Sequence, residues 1–227
     1  RVQPRTVVYD PEVTVSLPAD VSAASGMNAL AHLVEALYAP DVSPLLEVAA
    51  QEGIRALASG LPRVVAAPDD LTARSDALAG SWLAGWALGI ATMGVHHKVC
   101  HVLGGTWRLP HAATHAAVLP FATAFNAAAA PAAMERIRQA LHDAGRVADT
   151  AAGGLWDLAA AIGAPTSLAD VGFAASAVDE AARLVVEGRP VNPHEVHEPG
   201  IRRLLVAALA GERPARPSGS GHCAGPV

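Results

Sequence analysis

The fold of this chain is decided by residues 77–111, which read ALAGSWLAGWALGIATMGVHHKVCHVLGGTWRLPH. The first nineteen residues of this run carry no charge, and four of the ten histidines follow within the next sixteen. An apolar stretch of that length is about long enough to cross a bilayer. It consists mainly of Ala and Gly, however, and leads directly into His96-His97-Lys98. We therefore predict the central helix of a bundle, because a helix in a bundle interior is also apolar on all sides.

The composition agrees with a compact helical chain. Of the 227 residues 52% are hydrophobic and only 16% charged, which is ample for a buried core. Alanine, the best helix former, is very frequent. The net charge of −5 and the lack of a basic stretch argue against nucleic-acid binding. The two cysteines do not form a disulfide framework, and no secretory signal opens the sequence, so we expect a cytoplasmic protein.

Helical patterns continue on both sides of the apolar run, over residues 22–210. Ser25 is the predicted N-cap of the first helix, and Asp69 or Asp70 that of the apolar helix. Pro120 is predicted to separate two short helices, because proline interrupts helix interiors. These segments together predict an all-α, multi-helix bundle.

The first residues have a different character. Residues 5–10, Arg-Thr-Val-Val-Tyr-Asp, predict a short β-strand, and a lone strand is not stable without a partner. We therefore expect residues 1–21 to be a strand and linker left from a missing α/β domain. The helical domain is expected over residues 22–211. A disordered tail rich in Pro, Gly and Ser is expected over residues 212–227.

The histidines are spaced so that several can meet at one point. Asn28 and His32 are four residues apart and share a helix face, as do His97 and His101. His111 follows a Gly-Gly turn and a proline, at the start of a further helix. Two or more helices that project such side chains inward are a common way to build a site inside a bundle.

One interpretation of this cluster is a metal site. Neutral imidazoles of His32, His97 and His111 suit Fe²⁺ or Zn²⁺. A divalent ion also gains from an anionic ligand, but Asn28, one turn before His32, is neutral. Glu35 lies three residues beyond His32, and nothing in the run Val34-Glu35-Ala36 predicts that it turns inward.

A second interpretation is an anion pocket, in which cationic side chains bind a carboxylate-rich substrate and an imidazole donates a proton. The residues available for it are His96, His97, Lys98, His101, Arg108, His111 and His115. His96 and His115 are as readily explained as surface or core residues.

Two motifs resemble the iron-containing (group III) alcohol dehydrogenases. The segment 26–38, Gly-Met-Asn-Ala-Leu-Ala-His-Leu-Val-Glu-Ala-Leu-Tyr, resembles the helix that opens their C-terminal domain. The pattern His97-x3-His101-Val-Leu-Gly-Gly-x5-His111, followed by Ala-Ala-Val-Leu-Pro at 116–120, resembles their second signature. The resemblance covers about residues 1–211 and implies the C-terminal helical domain of a dehydroquinate synthase-like fold. In that family the last two metal ligands have the fourteen-residue spacing of His97 and His111.

Within the family, the sequence is most similar to the maleylacetate reductase branch. Metal-dependent members carry Asp at the position of Asn28, whereas that branch carries Asn and the run His-His-Lys-x-Cys-His-Val-Leu-Gly-Gly found at 96–105. The resemblance implies reduction of maleylacetate to 3-oxoadipate with NADH or NADPH, in the breakdown of aromatic compounds, and no need for a metal. If a metal were bound, its ligands would be Asn28, His32, His97 and His111.

On this interpretation His101 is the first candidate for the proton donor and His97 the second. Lys98 and Arg108 are candidates for binding the substrate carboxylates, and the remaining pocket residues would be Asn28, His32 and His111. Two alternatives stay open at this point. One is a metal-dependent alcohol dehydrogenase that uses Fe²⁺ or Zn²⁺, and the other is an inactive helical fragment with a role in oligomerisation.

No glycine-rich phosphate loop is apparent, so the cofactor-binding residues are unknown. Gly104-Gly105 and Gly153-Gly154 are only pairs and are more typical of helix ends. The partners implied are a small dicarboxylate, a nucleotide-binding domain outside this chain and a second copy in a homodimer. A metal site in the tail, at His222 and Cys223, is a weak possibility.

Overall fold

The computed structural model describes residues 6–215, and every regular element in this part of the chain is a helix. Its nine α-helices are α1 (Ala19–Ala36), α2 (Pro44–Ala66), α3 (Leu71–Ile90), α4 (Val95–Trp107), α5 (His111–Asn126), α6 (Pro131–Asp143), α7 (Ala151–Ala161), α8 (Val178–Glu187) and α9 (Glu198–Ala210). Short 3₁₀ turns occupy Glu12–Thr14 and Ala175–Ala177. The predicted multi-helix bundle is confirmed.

Helix α5 joins two groups of helices. On one side it packs against α1 and α7, with Leu119 in the core that α1, α2, α6 and α7 share. On the other side it packs against α4 and α9, with Val118 and Phe121 in the second core. Because α5 is buried on both sides, it is the central helix of the molecule. The histidines of α1, α4 and α5 lie where the two groups meet.

The apolar helix α3 is not the central helix, contrary to the sequence prediction. One face packs tightly on α2, since a Cβ at Gly80 would lie 2.6 Å from Leu57 Cγ. Trp82, Leu88 and Ile90 of the same helix are about half exposed. The lack of charge in α3 thus reflects small residues at one helix contact and exposed apolar side chains elsewhere, not burial on all sides.

No single helix among residues 6–215 is long and apolar enough to cross a membrane. Helices α3 and α4 together meet the criteria of length and composition, but they meet at 93°.

The predicted strand is not formed over residues 6–10, which have no regular secondary structure. A strand needs a neighbour for its backbone hydrogen bonds, and residues 6–215 contain no other strand. Within this segment, Tyr9 lies instead beside α3, where it lines a cavity with Ser75, Ala79 and Trp82. Further along the chain, the buried Arg74 of α3 donates a hydrogen bond to the Val15 carbonyl. Helix α1 then begins at Ala19, earlier than the predicted cap Ser25, because Pro18 supplies an extended residue at the helix start.

Two further boundaries differ from the prediction. Pro120 lies inside the continuous helix α5; its burial between both cores outweighs the hydrogen bond that a proline removes. Helix α4 continues through Gly104-Gly105 and ends at Arg108, which adopts a left-handed conformation with φ 57°. By contrast, Asp70 caps α3 as predicted and accepts a hydrogen bond from the Ala73 amide. Residues 212–215 have no regular structure, and the rest of the tail, with His222 and Cys223, lies outside the described residues.

Candidate active site

Six histidines form one continuous group, which we call the histidine cluster. Helix α1 contributes one of them, α4 three and α5 two: His32, His96, His97, His101, His111 and His115. Neighbouring ring centroids lie 4.3 to 6.4 Å apart. The predicted convergence of three segments is thus seen in the structure, and His96 and His115 are part of it.

The cluster extends from the core to the surface. His96, His97 and His115 are buried, His32 is half-buried, and His101 and His111 are exposed. The ring of His97 is the centre of the group, 4.8 Å from His32 and 5.0 Å from His115. Only the exposed members can exchange protons directly with solvent.

Burial keeps most of these imidazoles neutral. Loss of hydration, with the repulsion of neighbouring imidazoles, lowers the pKa of His32 and His97 to about 4. The same causes lower the pKa of His96 to about 3. Burial also lowers the pKa of His115 and, less strongly, that of His101. At neutral pH the cluster is therefore not a cationic pocket before a ligand binds.

Glu35 is the main site residue that the sequence interpretation missed. It is fully buried, and its carboxylate accepts hydrogen bonds from the backbone amides of Gly94 (2.9 Å), His96 (2.8 Å) and His97 (3.4 Å). A fourth contact joins its Oε2 to His97 Nδ1 at 2.7 Å. The expectation that Glu35 has no reason to turn inward is therefore wrong, because the open end of α4 supplies donors for it. Burial raises the pKa of the Glu35 carboxyl, while the interaction with His96 and the three backbone donors oppose the rise.

A signal for Glu35 was present in the sequence. Asn28, His32 and Glu35 have the spacing i, i+4, i+7, which places all three on one face of α1. The sequence could not show that the first turn of α4 lies opposite that face.

The pair Asn192 and Asn126 satisfies the remaining free amide at the start of α4. Asn192 accepts a hydrogen bond from the Val95 amide at 3.3 Å and exchanges side-chain hydrogen bonds with Asn126 of α5. All four free amides of the first turn of α4, residues 94–97, thus have partners. The space is tight: a Cβ at Gly94 would lie 3.1 Å from both Glu35 Oε1 and Asn192 Oδ1.

The predicted carboxylate-binding cations lie at the periphery. The side chain of Lys98 rests on the end of α8, where a Cβ at Gly188 would come within 2.0 Å of its Nζ. Arg108 is exposed just beyond the end of α4. The structure does not bring either side chain into hydrogen-bonding contact with the histidine cluster within residues 6–215, and their roles stay predictions.

The atoms of the site that are free to bind a metal carry no negative charge. Within residues 6–215, the buried atoms Asn28 Oδ1 and His97 Nε2 have no hydrogen-bond partner, so both are free to bind a ligand or an ion. Both atoms belong to uncharged side chains. The buried carboxylate of Glu35 is already saturated by N–H groups.

Two groups of side chains have possible ligand atoms within 4.8 Å of one another, Glu35–His96–His97 and His96–Cys100–His115. Neither group includes His32 or His111, and burial raises the pKa of the Cys100 thiol.

The glycine pairs are not phosphate loops. Gly104-Gly105 lies within α4, and Gly153-Gly154 lies in the first turn of α7, where the Gly153 amide donates to its N-cap Thr150. Residues 6–215 thus show no glycine-rich turn for a dinucleotide.

Comparisons with known proteins agree with the motifs. The chain is 49% identical over 214 residues to a maleylacetate reductase of Sphingobium indicum, covering 94% of this chain and 59% of that protein. The crystal structure of a putative alcohol dehydrogenase from Ralstonia eutropha JMP134 superposes with a TM-score of 0.89 at 50% identity, covering 93% of this chain and 59% of that one. The crystal structure of maleylacetate reductase from Agrobacterium tumefaciens superposes with a TM-score of 0.88 at 44% identity, covering 93% of this chain and 59% of that one.

The chain thus spans about 59% of the length of the relatives it matches. Residues 22–209 match the sequence model of the Fe-containing alcohol dehydrogenase family, C-terminal. That segment covers the nine helices described above, apart from the first three residues of α1 and the last residue of α9, and it contains the whole histidine cluster. The chain therefore belongs to the Fe-containing alcohol dehydrogenase family and carries its C-terminal domain.

Proposed function

We propose that this chain is the substrate-binding part of a maleylacetate reductase, which converts maleylacetate to 3-oxoadipate with consumption of NADH or NADPH and one proton. The observation that carries the proposal is the cluster of neutral imidazoles on the helices around Asn28, which has no carboxylate free to bind a metal among residues 6–215. The names and the 44–49% identity of the relatives support it.

The nicotinamide cofactor, when bound, supplies a hydride to one carbon of the substrate double bond. The neighbouring carbon must then receive a proton, and an imidazole with solvent access can deliver it repeatedly. His101 is exposed and lies 6.0 Å from His97, centroid to centroid, so it is our first candidate for the donor. His97, which is buried, is the second.

The substrate's two carboxylates would supply the charge that the pocket itself lacks. An anion beside neutral imidazoles favours their protonated form, so binding would draw protons into the cluster. In this proposal His32, His111 and Asn28 line the pocket, and Lys98 and Arg108 meet the carboxylates from its edge. Positive charge thus develops where the enolate forms during reduction.

We further propose that no resident metal is required. Asn28 is neutral, and Glu35 is occupied by four donors, which leaves a cation without an anionic ligand. The metal-dependent alcohol dehydrogenase remains the alternative that the experiment below distinguishes.

The domain boundaries carry over as part of the proposal. Residues 22–211 would form the substrate domain, residues 1–21 would lead from a nucleotide-binding domain, and residues 212–227 would be a tail. The cofactor would then bind in the cleft between the two domains. A homodimer is proposed as well, since the exposed apolar side chains of α3 offer a surface suited to association.

The test joins this chain to the N-terminal part of the Sphingobium indicum relative and measures NADH and NADPH oxidation with maleylacetate. We expect turnover that a chelator leaves unchanged. Metal analysis of the same sample should find well below one Fe²⁺ or Zn²⁺ per chain. Loss of activity on chelation, together with about one metal per chain, would establish the metal-dependent alternative. No turnover in a folded, cofactor-binding chimera would refute the proposal.

A further inference from the structure

We propose that Glu35 is a positioning residue that holds His97 in a single tautomer, with the proton on Nδ1 and the lone pair on Nε2. The consequence for catalysis, which rests on the function proposed above, is that neutral His97 turns a hydrogen-bond acceptor towards the pocket and must first take up a proton on Nε2 before it can donate one.

The contact between the two side chains is short and buried. Glu35 Oε2 lies 2.7 Å from His97 Nδ1, the length of a charge-assisted hydrogen bond. The side chain of Glu35 is fully buried and that of His97 is only 5% exposed, so water does not compete for the bond. A carboxylate that accepts from one ring nitrogen of a histidine fixes which nitrogen carries the proton.

The surroundings favour the proton on His97 rather than on Glu35. Three backbone N–H groups at the start of α4 already point at the two carboxylate oxygens. A helix N-terminus carries partial positive charge and stabilises an anion placed there. If Glu35 were protonated, its carboxyl hydrogen would lie among these N–H donors and compete with them for the carboxyl oxygens.

The other possible acceptor near His97 Nδ1 is weaker. His96 Nδ1 lies 3.5 Å away, at the limit of a hydrogen bond, whereas Glu35 Oε2 is 0.8 Å closer. The Nδ1 proton therefore points at Glu35.

This arrangement leaves His97 Nε2 as a lone pair. Nε2 is buried and has no hydrogen-bond partner among residues 6–215. The centroid of the His32 ring lies 4.8 Å from that of the His97 ring. In this neutral state Nε2 can accept a hydrogen bond or a proton, and His97 can donate from Nε2 only after it has been protonated there. The two candidates for proton transfer are thus separated, because exposed His101 can take up its proton directly from solvent whereas buried His97 cannot.

The first test is the tautomer of His97 in the 227-residue chain. Two-bond ¹H–¹⁵N correlation spectra of ¹⁵N-histidine-labelled protein distinguish protonated from unprotonated ring nitrogens, and His97→Gln assigns the signals. We expect a protonated Nδ1 and an unprotonated Nε2 at neutral pH. A protonated Nε2 overturns the proposal, and this readout needs no activity.

The second test separates positioning from simple helix capping. Asn192→Ala removes a cap at the same helix end without touching His97, whereas Glu35→Gln changes both the cap and the histidine contact. Both variants should lower the melting temperature, since each removes or weakens an acceptor for the free amides at this helix end. Only Glu35→Gln should abolish the single Nδ1–H tautomer, and an unchanged tautomer in that variant overturns the proposal.

In the chimera with a nucleotide-binding domain, Glu35→Gln should lower kcat by roughly 10–100-fold, the loss that follows removal of the carboxylate partner of a metal-bound histidine. Its KM should change much less than its kcat. An inactive chimera would refute the proposed function, while the spectra would still decide the role of Glu35. If Glu35→Gln does not fold, the tautomer of the unaltered chain remains decisive.

Discussion

Asn28 and His32 illustrate how single atoms determine the chemistry of this site. They lie one turn apart on α1, and Asn28 Oδ1 is buried with no partner among residues 6–215. A carboxylate at this position would add a negative charge beside neutral imidazoles, which attracts a cation strongly when water is excluded. The amide has the same shape without the charge. The difference between a metal site and a substrate pocket therefore depends on one side chain.

Replacement of Asn28 by aspartate should turn the pocket into a metal site. We expect Asn28→Asp to bind Zn²⁺ at least about 10-fold more tightly than the unaltered chain, a change of roughly 1.4 kcal/mol. Isothermal titration calorimetry measures it directly. Asn28→Ala is the matched control, since it removes the oxygen donor without adding charge. Equal zinc affinity in the two variants would contradict the prediction.

At the scale of the element, α4 depends on residues far away in the sequence. Its first turn has no side-chain cap of its own, and its amides are satisfied by Glu35 of α1 and by Asn192. The helix that carries three members of the histidine cluster is therefore placed by tertiary contacts. Gly94 makes this possible because its missing side chain lets both acceptors approach the backbone.

A methyl group at Gly94 should disturb this junction. Gly94→Ala would place a Cβ 3.1 Å from two polar oxygens and 3.2 Å from the Val191 carbonyl, so the capping groups must move apart. We expect a loss of about 2 kcal/mol in the free energy of unfolding, comparable to unpaired buried amides. Urea denaturation followed by circular dichroism measures it.

The control lies on the same helix. A Cβ at Gly105 would meet nothing within 4 Å. Gly105→Ala should therefore raise stability by roughly 0.5–1 kcal/mol, because alanine is the better helix former. Similar losses in both variants would show that the space around Gly94 is not the cause.

On the scale of the whole molecule, the histidine cluster lies at the junction of the two cores. Three of its members are buried and uncharged. Acid destabilises such a bundle, because the unfolded chain binds protons on these histidines at a pH at which the folded chain does not.

Acid should therefore unfold this protein. The pKa of His32 and His97 is about 4 in the folded state and 6.5 in the ordinary, unfolded state. Between these values the unfolded state binds more protons, so the stabilisation is complete above pH 6.5 and declines as the pH falls towards 4. Thermal melts from about pH 7 down to about pH 4.5 should show a falling Tm. The corresponding loss in the free energy of unfolding should be on the order of a few kcal/mol.

The exposed His142 provides the control. His142→Gln should leave the pH dependence unchanged, whereas His32→Gln should make it shallower. A melting temperature independent of pH in this range would contradict the buried, neutral state of the cluster.

Local sequence patterns determined the helical class, the Asp70 cap and the grouping of Asn28, His32, His97, His101 and His111, because helix spacing fixes which residues share a face. Tertiary structure decided three other matters. Burial kept α5 continuous through Pro120, and α5 rather than the apolar α3 became the central helix. The inward turn of Glu35 depended on a helix start sixty residues away in the chain. Spacing along one helix cannot show which unsatisfied amides lie opposite it, and those amides determine where a buried carboxylate is stable.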